Sequence, residues 1–282
     1  MSECTSTIID DISKDIFKCR ECDFFKDGTL KTEKFFPDIP MFNSGGNGQK
    51  AFVIGINPSF NDSTYETTWK NDLYTAVDYY DYKERLSKLE NPILKYQSEL
   101  ARTFRSINSH LNIYPELTTY VAEFTLKNIY KYVFWSNLSF CSSQTPYSRI
   151  IDDNTVTCRV FEEEIPNCLE KGYLARYIKA LEPEFLLLFT LSAKGYYYWK
   201  HIVKKLFPSG DAEITGQFIE KYSAHKRKAT PVEIEIIAAK VKAYGKIVNI
   251  LFFPHPNYQF TSENKAHVLE KVCEWFKQDL VN

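Results

Sequence analysis

The sequence lacks any apolar run close to the ~20 residues that a membrane span needs, and it lacks an excess of charge of either sign. Its 35 lysines and arginines nearly cancel its 36 aspartates and glutamates. No global basic field therefore favours a protein that coats DNA, although an enzyme that touches a few phosphates through a local patch stays compatible. The N-terminal segment MSECTSTIIDD is acidic and has no signal-peptide core. We expect no membrane partner, and a cytoplasmic location, or a nuclear one in a eukaryote.

Internal repeats and low-complexity linkers are also missing from the 282 residues. Apolar residues make up 44% of the chain and aromatic residues 16%, which is the composition of a folded globular protein and excludes extended disorder. The length suffices to bury a large core without cross-links. We expect one domain over residues 1–282, and a monomer.

A disulfide framework is excluded by the cysteines, because there are seven of them and the compartment expected above is reducing. Their spacing is better examined for metal binding. Cys19 and Cys22 form a CxxC pair, which taken alone fits half of a zinc site or a redox pair. Cys4 and Cys273 have no such partner in the sequence and are expected to be spectators.

Two sets of segments predict the fold class. Short, almost continuously apolar runs are typical of strands covered on both faces, whereas longer stretches with helical periodicity separate them. The strand candidates are residues 51–56, 132–138, 185–191 and 247–253; the helix candidates include residues 94–111, 174–181, 232–243 and 266–280. This alternation predicts an α/β fold, a three-layer α/β/α sandwich with a four-stranded parallel sheet. The first and last intervals exceed the ~30 residues of a plain crossover, which predicts helical insertions near 62–128 and 195–245.

Unusual polar residues follow or end three of the four predicted strands. Asn57 and Pro58 follow the first strand, Asn137 ends the second, and His255 follows the last. Ligands of open parallel sheets bind outside the carboxyl ends of the strands, so these residues are expected to gather at one edge. Each also has an ordinary explanation: a turn at Asn57-Pro58, a helix cap at Asn137 and a structural histidine.

The same residues resemble the motifs of the uracil-DNA glycosylase superfamily. The stretch Gly55-Ile56-Asn57-Pro58 is similar to the GINPG motif of the mismatch-specific uracil glycosylases, with Ser59 in place of the last glycine. His255-Pro256 is similar to the second motif, HPSP, with Asn257-Tyr258 in place of Ser-Pro. The iron-sulfur branch usually has GEAPG as its first motif, and this sequence lacks it. The spacing from Asn137 to Cys141 equals that of NxxKC in that branch.

The resemblance implies a [4Fe-4S] cluster as cofactor. Cys19, Cys22, Cys141 and Cys168 correspond to the ligands of the iron-sulfur branch, and thiolates are the usual ligands of such clusters. Cys158 competes with Cys168 for the fourth position, and zinc is the alternative metal. The cluster would be structural.

The resemblance also implies a reaction, the hydrolysis of the N-glycosidic bond of uracil or a related deaminated base in DNA. In this reaction Asn57 would position water and His255 would stabilise the leaving base anion. The carboxamide of Asn137 would donate to uracil O4 and accept from N3–H, a pattern that cytosine does not offer.

Further substrate contacts follow from the family spacing. Gly55, Ile56, Pro58 and Ser59 would line the site beside Asn57. An extruded base needs an aromatic face, which falls on Trp69, with Phe60 and Tyr65 as rivals. Tyr258 or Phe260 would enter the base stack as a wedge.

Two other classes of function stay open from the sequence. The chain is alternatively an inactive glycosylase fold that binds nucleic acid or a protein partner, or a redox or zinc protein that uses its CxxC. The basic run His225-Lys226-Arg227-Lys228 is predicted to be a solvated loop rather than a DNA contact.

Overall fold

A computed structural model describes part of the chain, namely residues 3–19, 21, 35–37, 50–55, 78–88, 94–115, 132–143, 149–152, 155–158, 165–191, 199–208, 210, 212–226, 231–254, 258–259 and 262–278. The helices in these ranges are α1 (Glu3–Lys18), α2 (Tyr79–Lys88), α3 (Leu94–Leu111), α4 (Ile165–Lys171), α5 (Tyr173–Leu181), α6 (Trp199–Leu206) and α7 (Ser262–Lys277). Among the described helices, none combines the length with the apolar character that a membrane span requires.

The strands belong to one large sheet and two small ones. They are β1 (Phe35–Pro37), β2 (Ala51–Gly55), β3 (Val133–Asn137), β4 (Cys141–Ser143), β5 (Arg149–Asp152), β6 (Thr155–Cys158), β7 (Phe185–Leu191), β8 (Glu213–Lys226), β9 (Pro231–Ala243), β10 (Lys246–Pro254) and β11 (Tyr258–Gln259). The large sheet has the order β11-β8-β9-β10-β7-β2-β3, and β1 with β4 and β5 with β6 form the two-stranded sheets. The chain therefore has a mixed α/β fold.

The four predicted strands are confirmed as neighbours that all run in parallel. β10 pairs with β7, β7 with β2 and β2 with β3, each in parallel. The prediction of a four-stranded sheet is wrong, because β9, β8 and β11 extend the sheet beyond β10 to seven strands, each paired antiparallel with its neighbour.

Residues 232–243 were predicted to be a helix, and this prediction is wrong: they belong to β9, which forms a long antiparallel hairpin with β8. The second insertion, 195–245, is thus helical only at α6 in its described part. The sequence of β9, PVEIEIIAAKVKA, alternates apolar and charged residues at both ends and is rich in β-branched residues. That alternation is the signal of a strand, and the central Ala238-Ala239-Lys240 also satisfies a helical period.

The other predicted helices are confirmed in the described residues. The periodicity of residues 94–111 coincides with α3, residues 174–181 lie in α5, and α7 covers the predicted last helix up to Lys277. Local chemistry sets the bounds of α5. Gly172 separates it from α4 with a φ of 66°, and Glu182 ends it with a φ of 44° and an N–H bond of 2.7 Å to the carbonyl of Ile178.

Helices cover both faces of the sheet, as the ring contacts of alternate strand residues show. Phe134 of β3 contacts Tyr177 of α5 with ring centroids 5.0 Å apart. Phe185 of β7 points to the opposite face, where its ring lies 5.7 Å from Phe276 of α7. Because side chains of a strand alternate between the faces, the two contacts place α5 and α7 in different layers around one buried core.

A buried hydroxyl pair joins α1 to α5 and gives a stability test. The hydroxyls of Ser13 and Tyr177 lie 2.8 Å apart, and Tyr177 is completely buried. We expect Tyr177→Phe to lower the free energy of unfolding by about 1 kcal/mol, because one buried hydrogen bond is removed. Urea unfolding measures this change. In a Ser13→Ala background the same substitution is expected to be nearly neutral, and an equal cost in both backgrounds would contradict the pairing.

Candidate active site

The carboxyl ends of the four parallel strands form one edge of the sheet, which we call the carboxyl edge. Its described residues are Asn137, Gly55, Leu191 and Pro254, at the ends of β3, β2, β7 and β10. Neighbouring strands lie ~4.8 Å apart, so the axes of β2 and β10, two strands apart, are separated by roughly 10 Å. The segments that follow β2 and β10 thus start close enough for their side chains to line one cleft.

Gly55 and Asn137 contact each other at this edge. They are partners in the parallel ladder, and the Leu138 N–H donates to the Gly55 carbonyl at 2.9 Å. The Asn137 side chain leans over the glycine, because a Cβ added to Gly55 would lie only 2.2 Å from Asn137 Oδ1. Gly55 therefore provides space for the carboxamide, and the half-buried Asn137 stays next to the segment that leaves β2.

The end of β10 is irregular at the same level. Phe252 pairs with Leu188 whereas Pro254 pairs with Leu191, so the ladder between β10 and β7 shifts by one residue. The extra residue lies on β7, so the bulge bends β7 just beside the end of β10. His255 is the next residue in the sequence.

The predicted site residues divide into those that the structure describes and those that it does not. Gly55 and Asn137 are brought together, and the backbone of Tyr258 lies in β11. The predictions for the remaining positions fall outside the described residues: Ile56, Asn57, Pro58, Ser59, the stacking candidates Phe60, Tyr65 and Trp69, the wedge candidate Phe260, and His255.

A second group of predicted residues meets around Tyr173, at the start of α5. Burial is the main cause that raises the pKa of Tyr173, and a hydrogen bond to Cys19 raises it further. The electrostatic interaction with Cys168 adds to the increase. Cys19 follows α1 and is half-buried, whereas Cys168 is buried in α4. Two of the four predicted thiol ligands therefore flank one tyrosine.

The backbone of Cys141 approaches the same place. Phe140, the preceding residue, packs its ring edge-on against Tyr173 with centroids 5.9 Å apart. Cys158, the rival ligand, ends β6 in a separate two-stranded sheet. Cys168 thus belongs to the described neighbourhood of Tyr173, whereas the side chain of Cys158 falls outside the described residues.

The thiols that are described do not form a complete metal site. No group of three or more histidine, cysteine, aspartate or glutamate side chains in the described part of the chain is arranged to hold a metal ion. Cys22 and the side chain of Cys141 lie outside that part. By contrast, burial raises the pKa of the Cys273 thiol in α7 to about 12, so this cysteine is a protonated core residue.

An open cavity of about 480 Å³ lies beside Cys19. Its lining includes the ion pair between Lys171 and Glu21, whose Nζ and carboxylate oxygen are 2.7 Å apart. A hydrogen bond to Glu21 raises the pKa of Lys171. A second ion pair, between Arg176 and Asp15 at 2.7 Å, ties α5 to α1 at the same cavity. These contacts hold the segment with Cys19 against the helices that carry Cys168 and Tyr173.

Sequence reasoning missed Tyr173. Its signal was its place directly after Gly172, five residues beyond Cys168 in the stretch that begins at that cysteine. The aromatic-rich composition concealed it among 19 tyrosines.

Two comparisons with known proteins bear on the identity of the chain. No protein-family model matches it, and no curated protein sequence matches it. The residues at the carboxyl edge and around Tyr173 therefore carry what can be inferred about function.

Proposed function

We propose that this chain is a DNA glycosylase that hydrolyses the N-glycosidic bond of uracil or a related deaminated base, on a fold of the uracil-DNA glycosylase type. The contact of Gly55 with Asn137 carries the proposal. It places a carboxamide at the carboxyl edge, next to the segment that leads to Asn57, and the end of β10 leads to His255 from the same edge. In the proposed site, the base-binding amide of Asn137, the water-binding amide of Asn57 and the imidazole of His255 face the same cleft.

The chemistry assigns a separate role to each of these three side chains. The departing base carries negative charge, which His255 stabilises by donating a hydrogen bond in a site closed to solvent. Asn57 holds the attacking water on the opposite side of the sugar. Asn137 binds the face of uracil that offers one acceptor and one donor, and a base that leaves this amide unpaired is rejected strongly.

The remaining predicted contacts surround the base. Ile56, Pro58 and Ser59 form the wall beside Asn57, Trp69 stacks on the extruded base, and Tyr258 fills the place that the base leaves in the duplex. The DNA is the partner, and no membrane or second subunit is needed.

A [4Fe-4S] cluster fits the thiols around Tyr173. Cys19, Cys22, Cys141 and Cys168 would hold it, and its thiolate bonds would join the N-terminal segment, β4 and α4. Zinc is the alternative for the same thiols. The reaction at the carboxyl edge uses the side chains named above and needs no electron transfer.

Iron analysis of the anaerobically purified protein tests the cluster. We expect iron at the stoichiometry of one [4Fe-4S] cluster in the wild type and a loss of most of it in Cys19→Ala and in Cys168→Ala. Cys273→Ala is the matched control and is expected to keep its iron, because Cys273 is a buried, protonated thiol of α7. Iron-free wild type, or loss of iron in Cys158→Ala instead of Cys168→Ala, would contradict this ligand set.

A strand-cleavage assay with single modified bases tests the function. Oligonucleotides with uracil, cytosine or thymine at one position are incubated with the wild type, and alkali then cleaves the abasic sites. We expect abasic sites from uracil only. Binding of the oligonucleotides without formation of abasic sites would favour the inactive binding module. A protein that contains iron or zinc but neither binds nor cleaves the oligonucleotides would favour the redox or zinc protein.

A further inference from the structure

We propose that the open cavity at the start of α5 binds a phosphate group of the substrate DNA. The inference rests on the proposed function and adds to it a contact with the DNA backbone. Three cationic side chains line the cavity, and each comes from a different element: Lys18 ends α1, Lys171 ends α4 and Arg176 belongs to α5. Lysine and arginine are common donors to phosphate oxygens in protein–DNA complexes.

The direction of α5 brings this cavity to the level of the carboxyl edge. Tyr177 of α5 contacts Phe134 of β3, with ring centroids 5.0 Å apart. Tyr173, one helical turn earlier, contacts Phe140, which lies beyond the end of β3. Residue numbers therefore decrease along α5 while they increase along β3, so the helix starts where the strand ends. Tyr173 itself lines the cavity.

The cavity is close enough to the candidate site for one DNA molecule to reach both. Phe140 is three residues beyond Asn137, which allows at most ~11 Å between their Cα atoms. The ring of Phe140 lies 5.9 Å from that of Tyr173. Because one DNA strand advances ~3.4 Å per nucleotide, a distance on the order of 20 Å corresponds to about six nucleotides. We therefore expect the bound phosphate within about six nucleotides of the extruded base.

The charges of the cavity favour an anion. Glu21 lies 2.7 Å from Lys171, and Asp15 lies 2.7 Å from Arg176. Lys18 forms no ion pair with any residue that the structure describes, so three cations face two carboxylates. A guanidinium also has five N–H donors, which one carboxylate cannot occupy completely. The cavity thus keeps unused positive charge and unused donors.

Both ion pairs are exposed, so a phosphate displaces the carboxylates at little cost. The four side chains keep between 42% and 52% of their surface accessible. Exposed ion pairs of this kind contribute little to stability, because water already solvates both charges. Arginine can instead bind a phosphate through two parallel hydrogen bonds. Glu21 and Asp15 therefore hold the cations in place in the free protein and turn to solvent when a phosphate binds.

The elements that carry the cations are packed together. Ser13 of α1 and Tyr177 of α5 share a buried hydroxyl contact of 2.8 Å, and Ile12 and Ile16 of α1 are buried. This packing fixes the end of α1 relative to the start of α5. Phosphate contacts from such a rigid unit set the position of the DNA on the protein.

Salt-dependent DNA binding tests the proposal. The affinity for a short duplex with a stable abasic-site analogue is measured by fluorescence anisotropy at several salt concentrations. We expect the triple variant Lys18→Gln, Lys171→Gln, Arg176→Gln to reduce the slope of log affinity against log salt by roughly 0.9, the value for one phosphate, and to bind roughly tenfold more weakly at ~0.1 M salt. The matched control, Lys242→Gln, is expected to keep the wild-type slope, because this exposed lysine pairs with Ile247 near the start of β10, away from the carboxyl edge.

A second variant separates phosphate binding from a structural role of the ion pairs. Asp15→Asn with Glu21→Gln removes the same two ion pairs but keeps the three cations. We expect it to bind DNA several-fold more tightly than the wild type, because the phosphate no longer competes with carboxylates. The matched control for net charge is Glu182→Gln with Glu184→Gln, at the opposite end of α5, and is expected to change the affinity much less.

Two further measurements locate the phosphate and identify its source. Single methylphosphonates in the duplex are expected to weaken binding of the wild type at a position within about six nucleotides of the abasic analogue, and the triple variant is expected to be insensitive there. Thermal unfolding is also measured with inorganic phosphate at matched ionic strength. Stabilisation of the wild type but not of the triple variant, together with unchanged DNA binding of the triple variant, would assign the cavity to free phosphate and overturn the DNA contact.

Three other results would overturn the proposal. They are a triple variant with the wild-type slope, an equal reduction of the slope in Lys242→Gln, and a loss of affinity in the Asp15→Asn, Glu21→Gln variant as large as that in the triple variant.

The outcomes also separate this inference from the proposed function. If the wild type releases no uracil but binds DNA with a slope that the triple variant reduces, the glycosylase proposal fails and the phosphate site stands. If the wild type releases uracil and the triple variant binds DNA as the wild type does, the reverse holds.

Discussion

Replacing His255 by alanine is expected to lower the rate of uracil excision at saturating DNA by about 10²–10³-fold. The imidazole donates a hydrogen bond to the base as negative charge develops on it, and removal of one such donor from a preorganised site costs this much. DNA binding is expected to change little, because the interaction forms mainly in the transition state. Single-turnover rates on a uracil oligonucleotide measure the effect.

Two controls distinguish this role from a structural one. His267→Ala, at an exposed position of α7, is expected to keep the wild-type rate. With 5-fluorouracil as the leaving base, His255→Ala is expected to lose much less activity, because the fluorine already stabilises the anion. An equal loss with both bases would remove His255 from leaving-group stabilisation.

Gly55→Ala is expected to lower excision by about 10²-fold and to lower the free energy of unfolding by about 1–3 kcal/mol. The new methyl group would lie 2.2 Å from Asn137 Oδ1, so the carboxamide must leave its position. Overpacking of this kind has that cost, and a displacement of about 1 Å at a reacting site has a comparable effect on rate. Urea unfolding and single-turnover excision measure the two effects.

A double-mutant cycle separates the clash from other effects of the alanine. In an Asn137→Ala background, Gly55→Ala is expected to cost much less stability, because the colliding side chain is gone. Gly210→Ala is the matched control, since a Cβ there meets no atom within 4 Å. Independent, additive effects at positions 55 and 137 would contradict the contact on which the candidate site depends.

The parallel strands could be predicted from the sequence because each is a short, continuous apolar run. Such runs are typical of strands that helices cover on both faces, and β2 and β7 are buried on both. Because the strands are parallel, their carboxyl ends lie at one edge, and the polar residues after them are predicted to lie there too. Gly55 and Asn137 were accordingly named, but their contact depends on the register between β2 and β3, which the separate segments do not encode.

The hairpin could not be predicted in the same way. The double alanine before Lys240 satisfied a helical period, and Lys240 itself is buried only because it donates to the end of α7 and lies beside Trp275. Tertiary contacts of this kind decide between two local patterns. The pairing of Tyr258 in β11 with Lys226 in β8 is likewise a tertiary contact that the separate segments do not encode.

The grouping around Tyr173 lies between these two cases. The spacing of the cysteines predicted their roles through a family resemblance, whereas the position of the tyrosine between Cys19 and Cys168 results from the packing of α1 against α5. That packing joins residues more than 150 positions apart, as in the 2.8 Å pair of Ser13 and Tyr177, for which the separation is 164.

The most direct test of a uracil-excising site at the carboxyl edge is the single-turnover formation of abasic sites by the wild type and by Asn57→Ala, with DNA binding measured in parallel. We predict abasic sites with the wild type, a rate at least ~10²-fold lower with Asn57→Ala, and similar binding of both proteins to DNA. Equal rates for the two proteins, or no abasic site from wild type that binds the same DNA, would contradict it.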